Sequence, residues 1–415
     1  MTIMQTDTKQ EALKEPTSTE GDSSSIVESA SEISTVIHEH ESFETFQHKV
    51  YALGTELGLH FKDVTRIDGG YNNRIIAVTI QDFPSKAGIQ DTQAILRIPR
   101  GDRELDADGD IVPVVITSDP RILDDAAVLH LLAGRVPKVA EVLGFDSTLD
   151  NAIGFPYTLY TRISGVNLAS VLDEIPMEDM AVIASELAEF YTRLQDIKFP
   201  VSGRLLHDDD KEPLLTKLPP GPSERVEATM EVAVRGFLQN SGWDDERDGP
   251  TIPVTSSLYK QFEVGIKHAL RPHEGYKPGE YDFHAEFRDK LNSMLQEMKS
   301  MGWFDADETT TTDSVLHHWG CMPRNITVEQ REDSSWHLTG IVDWDEIDCL
   351  PPVLTRRPPF WLWDRLDDDL LPEEMQRYKD DDFDFFPSEV NSKQLTAAGA
   401  NIKEVFEKAI IMKCS

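Results

Sequence analysis

The strongest constraint on the fold is the order in which strand-like and helix-like periods follow one another. The runs "KDVTRI", "NRIIAVTI" and "TQAILRI" are rich in β-branched residues, and the first two flank the glycine turn "DGGYN". Next comes "DPRILDDAAVLHLLAG", with an early proline, apolar residues at helical spacing and a closing glycine, which predicts a helix. "VAEVLGFD" and "FPYTLYTRI" then return to the strand pattern. Beyond them "EDMAVIASELAEFYTRLQDI", "SLYKQFEVGIKHAL" and "YDFHAEFRDKLNSMLQEMKSM" place apolar residues three and four apart, as amphipathic helices do. Pro- and Gly-rich stretches, "TKLPPGPSE" and "DERDGPTIP", separate them. The expectation is an α+β chain: an antiparallel sheet with one helix, then a mainly helical part holding a loop and short strands.

A chain of 415 residues suits one large two-lobed domain or two moderate ones. Residues 1–43 are rich in Ser, Thr and Glu with few large apolar side chains, so they are expected to form a disordered acidic tail. The remainder divides into 44–163, which carries the sheet, and 164–415, which is mainly helical. With 40 Lys and Arg against 75 Asp and Glu, the formal charge is −35. Such a field repels nucleic acid and anionic membranes and suits a cationic small molecule or a basic protein. Three cysteines (Cys321, Cys349, Cys414) are too few for a disulfide framework and lack zinc-site spacing. No stretch is long and apolar enough to cross a bilayer, and the N-terminus lacks a secretory pattern. The expected setting is cytoplasmic.

The chemistry concentrates in "VLHHWGCMPRNITV", followed by the strand "WHLTGIVDW". Asn325 closes that loop and Asp343 ends the strand. An Asn and an Asp so placed supply the two oxygen ligands that hold Mg²⁺ on a nucleotide in kinases; Asp343 alone would read as a strand-end turn residue. Upstream, Gly69, Gly70 and Asn72 in the turn between strands permit close backbone approach to phosphates, although paired glycines between strands also make simple hairpins. Arg97 lies on the third strand, where a kinase has its phosphate-reaching lysine; the plain alternative is a strand-edge arginine in solvent. Asp125, in the helix that follows, falls where a kinase glutamate pairs with that cation. Asp345, Glu346 and Asp348 read as a solvated acidic loop, with supply of a carboxylate or attraction of a cationic acceptor as the alternative. The segment "PPVLTRRPPFWLW" reads as structural, with lining of an acceptor site by Trp361 and Trp363 as the alternative.

The segments "IDGGYNNRI", "AILRIPR", "RVPKVAEVLGFD", "IGFPYTLYTRISGVNL", "LHHWGCMPRNITV" and "LTGIVDWDEIDCLPPVLTRRPPFWLW" together resemble the aminoglycoside phosphotransferase superfamily, also called the phosphotransferase enzyme family, and its fungal members in particular. The resemblance spans roughly residues 60–365. It implies a two-lobed protein-kinase-like fold, ATP and Mg²⁺ as cofactors, and a hydroxylated small-molecule acceptor. It also implies adenine docked on the backbone near Tyr160, Thr161 and Ile163. The family loop reads His-x-Asp-x-x-x-x-Asn, which puts His318 at the His position and Gly320 where the catalytic Asp belongs. His317 and Cys321 flank that gap and are weak substitutes for a base. The chain also ends at Ser415, short of the helical extension expected of such relatives. Two readings follow: a phosphotransferase impaired by the loss of its carboxylate, or a pseudokinase that binds nucleotide or a partner without transferring phosphate.

Overall fold

The computed structural model describes residues 41–67, 73–85, 88–100, 103–105, 111–113, 119, 121–208, 232–235, 257–269, 283–304, 313–345, 347–355, 359–363 and 397–414. The glycine turn 68–72, with Gly69, Gly70 and Asn72, therefore lies outside the described residues, as do Glu346 and nearly all of the 1–43 tail.

The first sheet forms from β1 (His60–Arg66), β2 (Asn73–Ser85), β3 (Gly88–Pro99), β6 (Val142–Asp146) and β7 (Tyr157–Thr161), in the order β1-β2-β3-β7-β6, every neighbour antiparallel. Two short strands, β4 (Arg103–Leu105) and β5 (Ile111–Pro113), pair with each other. Strand alternation decides which face each residue serves. Ile76, Val78 and Ile80 of β2 and Ala94, Leu96 and Ile98 of β3 are buried against α1 (Phe43–Glu56), through its Phe46, Val50 and Leu53. The cleft side receives α2 (Arg121–Leu132), whose Ile122 and Ala126 pack on Phe145. The sheet thus carries α1 in addition to the single helix expected from the sequence. Full burial of each large apolar side chain here is worth about 1.5–3 kcal/mol, which fixes the register of β3 and so the position of Arg97.

The second core surrounds α4 (Met177–Gln195), which follows β8 (Val166–Asn167) and the one-turn α3 (Leu168–Val171). Met180, Ile183, Ala184, Leu187, Ala188 and Leu194 form its apolar stripe. Around it lie a five-stranded sheet, β11-β10-β15-β12-β9, and a three-stranded one, β14-β13-β8. Their strands are β9 (Lys198–Phe199), β10 (Gly203–His207), β11 (Val232–Arg235), β12 (Ser314–His318), β13 (Ile326–Gln330), β14 (Trp336–Ile341) and β15 (Ile347–Leu350). Among the described residues this half also holds three longer helices and a short helical turn. The helices α5 (Leu258–Ala269) and α6 (Phe283–Ser300) share a small core at Tyr259, Leu295 and Phe304. The single turn is α7 (Pro352–Thr355), and α8 (Ala397–Cys414) buries Ile402 and Phe406 in the main core. Trp361 and Trp363 are buried as well, Trp363 lying 5.6 Å from the Phe406 ring. Both pack within the main core.

Candidate functional site

Strand β14 leads into the site and is held from three sides. Glu186 of α4 accepts the Leu338 N–H at 2.7 Å and contacts His337 Nδ1 at 3.0 Å, while the Thr339 hydroxyl donates to the Ser164 carbonyl at 2.6 Å. Beyond the strand end, Trp344 is buried, donates its indole N–H to the Ile341 carbonyl at 3.0 Å and packs on Phe190. These anchors fix Asp343 between them. Its φ is +68°, a left-handed backbone that a non-glycine residue adopts only at a cost of order 1–2 kcal/mol. The short turn after β12 brings Asn325 to the same place. Asn325 Nδ2 donates to Asp343 Oδ2 at 3.3 Å and to the Gly320 carbonyl at 2.9 Å. The two residues expected from their spacing to act together therefore do meet.

Arg97 reaches this group from the first sheet. It donates to Asp125 Oδ2 at 3.0 Å, lies 3.8 Å from Asp343 Oδ1, and engages both carboxylate oxygens of Asp345 in a fork-to-fork pair, Nη1 to Oδ1 at 2.5 Å. Arg97 and Asp125 side chains are only 12% and 14% exposed, so the solvent-edge alternative for Arg97 does not hold. Burial by itself would lower the Arg97 pKa, but the Asp345 and Asp125 carboxylates outweigh it and raise it well above the ordinary value. Burial, followed by the negative charge of Asp345, drives the Asp125 carboxyl well up. For Asp345 burial pulls in the same upward direction, yet the Arg97 guanidinium prevails and holds its carboxyl below the usual range. Three carboxylates thus share one cation.

For Asp345 and Asp348 the reading as a solvated acidic loop is corrected here; Glu346 lies outside the described residues. Asp345 binds Arg97, and Asp348 accepts the Trp319 indole N–H at 2.6 Å. The available signal was the Asp-Trp-Asp spacing, which places a second carboxylate just past a buried, anchoring tryptophan.

Tyr160 lines a small cavity of about 30 Å³ with Arg97, Asp125, Ala140, Val342 and Asp343. Burial pushes its phenol up to about 12. Thr161 N–H is already committed to the Glu141 carbonyl at 2.8 Å, and the Arg162 N–H to the Gln93 carbonyl at 2.9 Å. The Ile163 side chain rests on β14 at Gly340, where an added Cβ would lie 2.6 Å from two of its carbons. The segment 160–163 is therefore in mechanical contact with the strand that carries Asp343.

The loop leaves no free space for a side chain at Gly320. A Cβ there would lie 2.9 Å from Asn325 Nδ2 and 3.3 Å from His318 Cε1. His318 is fully buried, its Nε2 3.3 Å from the Val342 carbonyl and its ring edge-on to Trp344. Burial lowers its pKa to about 4, so it is neutral at pH 7. Cys321 is buried beside Tyr191 with its thiol pushed up to about 12, and His317 is buried against Trp319. A prediction follows: Gly320→Asp should destabilise the protein by about 1–3 kcal/mol, because Asn325 must abandon its bond to the residue 320 carbonyl. Urea melts of the two proteins test it, and an unchanged midpoint would show that the loop accommodates the side chain freely.

An antiparallel sheet flanked by helices, set on a mainly helical half with an Asn-containing loop and an Asp-ended strand at their junction, has the architecture of a protein-kinase-like fold. The chain belongs to the phosphotransferase enzyme family, whose model matches residues 63–354. In each of two strains of Aspergillus fumigatus, a subtelomeric hrmA-associated cluster protein is 31% identical to it over 72 residues. That match covers 17% of this chain and only 14% of the curated relatives' length. Among solved structures, ADP-bound aminoglycoside phosphotransferase APH(2'')-Ib is 11% identical, with 90% of this chain and 86% of that one covered and a TM-score of 0.39. The streptomycin–ATP complex of APH(2'')-IIa is 10% identical over the same shares, with a TM-score of 0.37. Among the described residues no helix is long and apolar enough to cross a membrane.

Proposed function

We propose that this protein binds ATP with Mg²⁺ at the junction of Arg97, Asn325 and Asp343, and that it transfers phosphate to a small-molecule hydroxyl slowly or not at all. The observation that carries this reading is the meeting of Asn325 with Asp343, 3.3 Å apart, beside a guanidinium 3.8 Å from the same aspartate. One carboxylate and one amide oxygen are a poor all-protein cage, but they fit Mg²⁺, which keeps water and phosphate oxygens in its shell. Bound there, the ion would neutralise charge on the β- and γ-phosphates. Arg97 would serve the α/β-phosphates once released from Asp345, and segment 160–163 would receive the adenine. On this reading the divisions at 43/44 and 163/164 separate a tail, a nucleotide-covering lobe and an acceptor lobe. The acidic surface suits a cationic acceptor.

Loss of a positioned acid or base typically forfeits about 10²–10⁴ in rate while phosphate and metal contacts survive. The alternative, a pseudokinase, is favoured by one observation: Asn325 occupies the space beside Gly320 that a catalytic side chain would need. The experiment that supports or sinks the nucleotide site is a thermal-shift titration with ATP and Mg²⁺, repeated with Asp343→Ala. A ligand at 100 times its dissociation constant adds about 2.7 kcal/mol to the wild type, and the variant should show none of it. A wild type that melts unchanged with nucleotide present would remove the ATP reading.

A further inference from the structure

We infer that Asn167 is a positioning residue for Asn325, so that the segment 164–167 sets the proposed metal ligand; the inference rests on the nucleotide reading above. Asn167 is exposed and uses both ends of its side-chain amide. Its Oδ1 accepts the Ala169 N–H at 2.9 Å, which caps α3, and its Nδ2 donates to the Arg324 carbonyl. The opposite placement of oxygen and nitrogen would set donor against donor and acceptor against acceptor, so the two partners fix the amide's orientation. An asparagine cap is ordinary. The second bond is what reaches the site.

The Arg324 carbonyl belongs to the peptide unit that leads into Asn325, and the N–H of the same unit donates to the Met322 carbonyl at 2.9 Å. A peptide unit is planar, so bonds at both of its ends fix its tilt and with it the direction in which the Asn325 side chain leaves the backbone. On the far side the Asn325 carbonyl accepts the Val342 N–H at 2.9 Å, next to Asp343. Both hydrogen bonds of the Asn325 side chain leave from Nδ2, so Oδ1 is the atom that serves a cation. Asn167 is itself held in place. It pairs with Thr327 across β8 and β13, and its carbonyl accepts the Ser170 hydroxyl at 2.6 Å. Gly165 has a φ of +100° and lies so close to β13 that an added Cβ would collide with the Val328 carbonyl oxygen. Glycine permits both that backbone and that approach. The clamped run 164–167 thus ties the segment proposed to receive adenine to the residue proposed to hold the metal.

The test uses the full chain with Asn167→Asp, which keeps an oxygen for the Ala169 N–H but, as an acceptor-only carboxylate, offers no donor to the Arg324 carbonyl. It has two readouts: amide hydrogen exchange of the peptide spanning 322–326, and the Mg²⁺ concentration that gives half the thermal shift at fixed ATP. Exchange there should quicken about tenfold while α4 exchanges as before, and the Mg²⁺ midpoint should rise by about tenfold, the order of one lost hydrogen bond. The added negative charge would by itself favour Mg²⁺, so a weaker response does not come from charge. Asn167→Ser, uncharged and still able to cap α3, should move the same way. A Mg²⁺ midpoint unmoved in Asn167→Asp overturns the inference even where exchange quickens, because Asn167 then only staples the fold. Unchanged exchange overturns it too. A wild type with no Mg²⁺-dependent shift sinks the nucleotide reading and this inference together, an outcome visible before any variant is made.

Discussion

Lowering the pH from 6.5 to 4 should remove about 3 kcal/mol of stability through His318 alone. The imidazole is 1% exposed, and burial depresses its pKa from 6.5 to about 4. Between those values the unfolded chain binds a proton that the folded chain refuses. Stability is therefore present in full above 6.5, falls through the window and loses nothing further from this group below about 4. The Asp125 carboxyl, raised in the folded state, acts with the opposite sign: its contribution is lost as pH rises through its folded pKa. Asp345, lowered in the folded state, loses its contribution only below the ordinary carboxylate range. A comparison within one window must therefore isolate the histidine. His318→Gln keeps a donor for the Val342 carbonyl but does not titrate. Urea melts at pH 7.5, 6, 5 and 4 should show wild type losing about 3 kcal/mol relative to the variant. A difference that stays flat across the series would mean that His318 is not held neutral. Because Val342 precedes Asp343, the same titration should loosen the segment proposed to hold the metal.

The first sheet was legible because its strands are local and β-branched, and because a one-residue slip would turn Ile76, Val78 and Ile80 away from α1. The approach of Asn325 to Asp343 was legible for a similar reason: Asn325 directly precedes β13, Asp343 lies just past β14, and antiparallel pairing of the two strands brings those ends together. What spacing could not supply was competition among charges. Asp125 and Asp345 are 220 residues apart. Nothing local says that both will approach Arg97, or that the second will take both of its forked nitrogens. Burial of individual polar groups was equally hidden. The buried pattern of β12 carries His317 inside, and Cys321, in the turn that follows, is buried as well.

Arg97→Met should cost about 3 kcal/mol at pH 7.5, the low end for removing one member of a buried ion pair. The low end applies because Asp345 is 40% exposed and can turn to water, whereas Asp125 at 14% cannot. Asp125 has another recourse. Its carboxyl already titrates well above the ordinary range, and without the guanidinium it rises further, so the folded variant takes up a proton. The cost of the substitution should accordingly shrink when the melts are repeated at pH 5. Asp345→Asn is the contrasting case. It removes the partner that solvent screens, relieves repulsion on Asp125 and leaves Arg97 paired, so its cost should stay below about 1 kcal/mol. On the proposed nucleotide reading it also frees the fork that phosphates need, and the ATP-dependent thermal shift should grow rather than fall. Equal destabilisation by the two substitutions would make the Arg97–Asp345 pair a structural clasp. A smaller nucleotide shift in Asp345→Asn would place that carboxylate among the groups nucleotide binding requires, not in opposition to it.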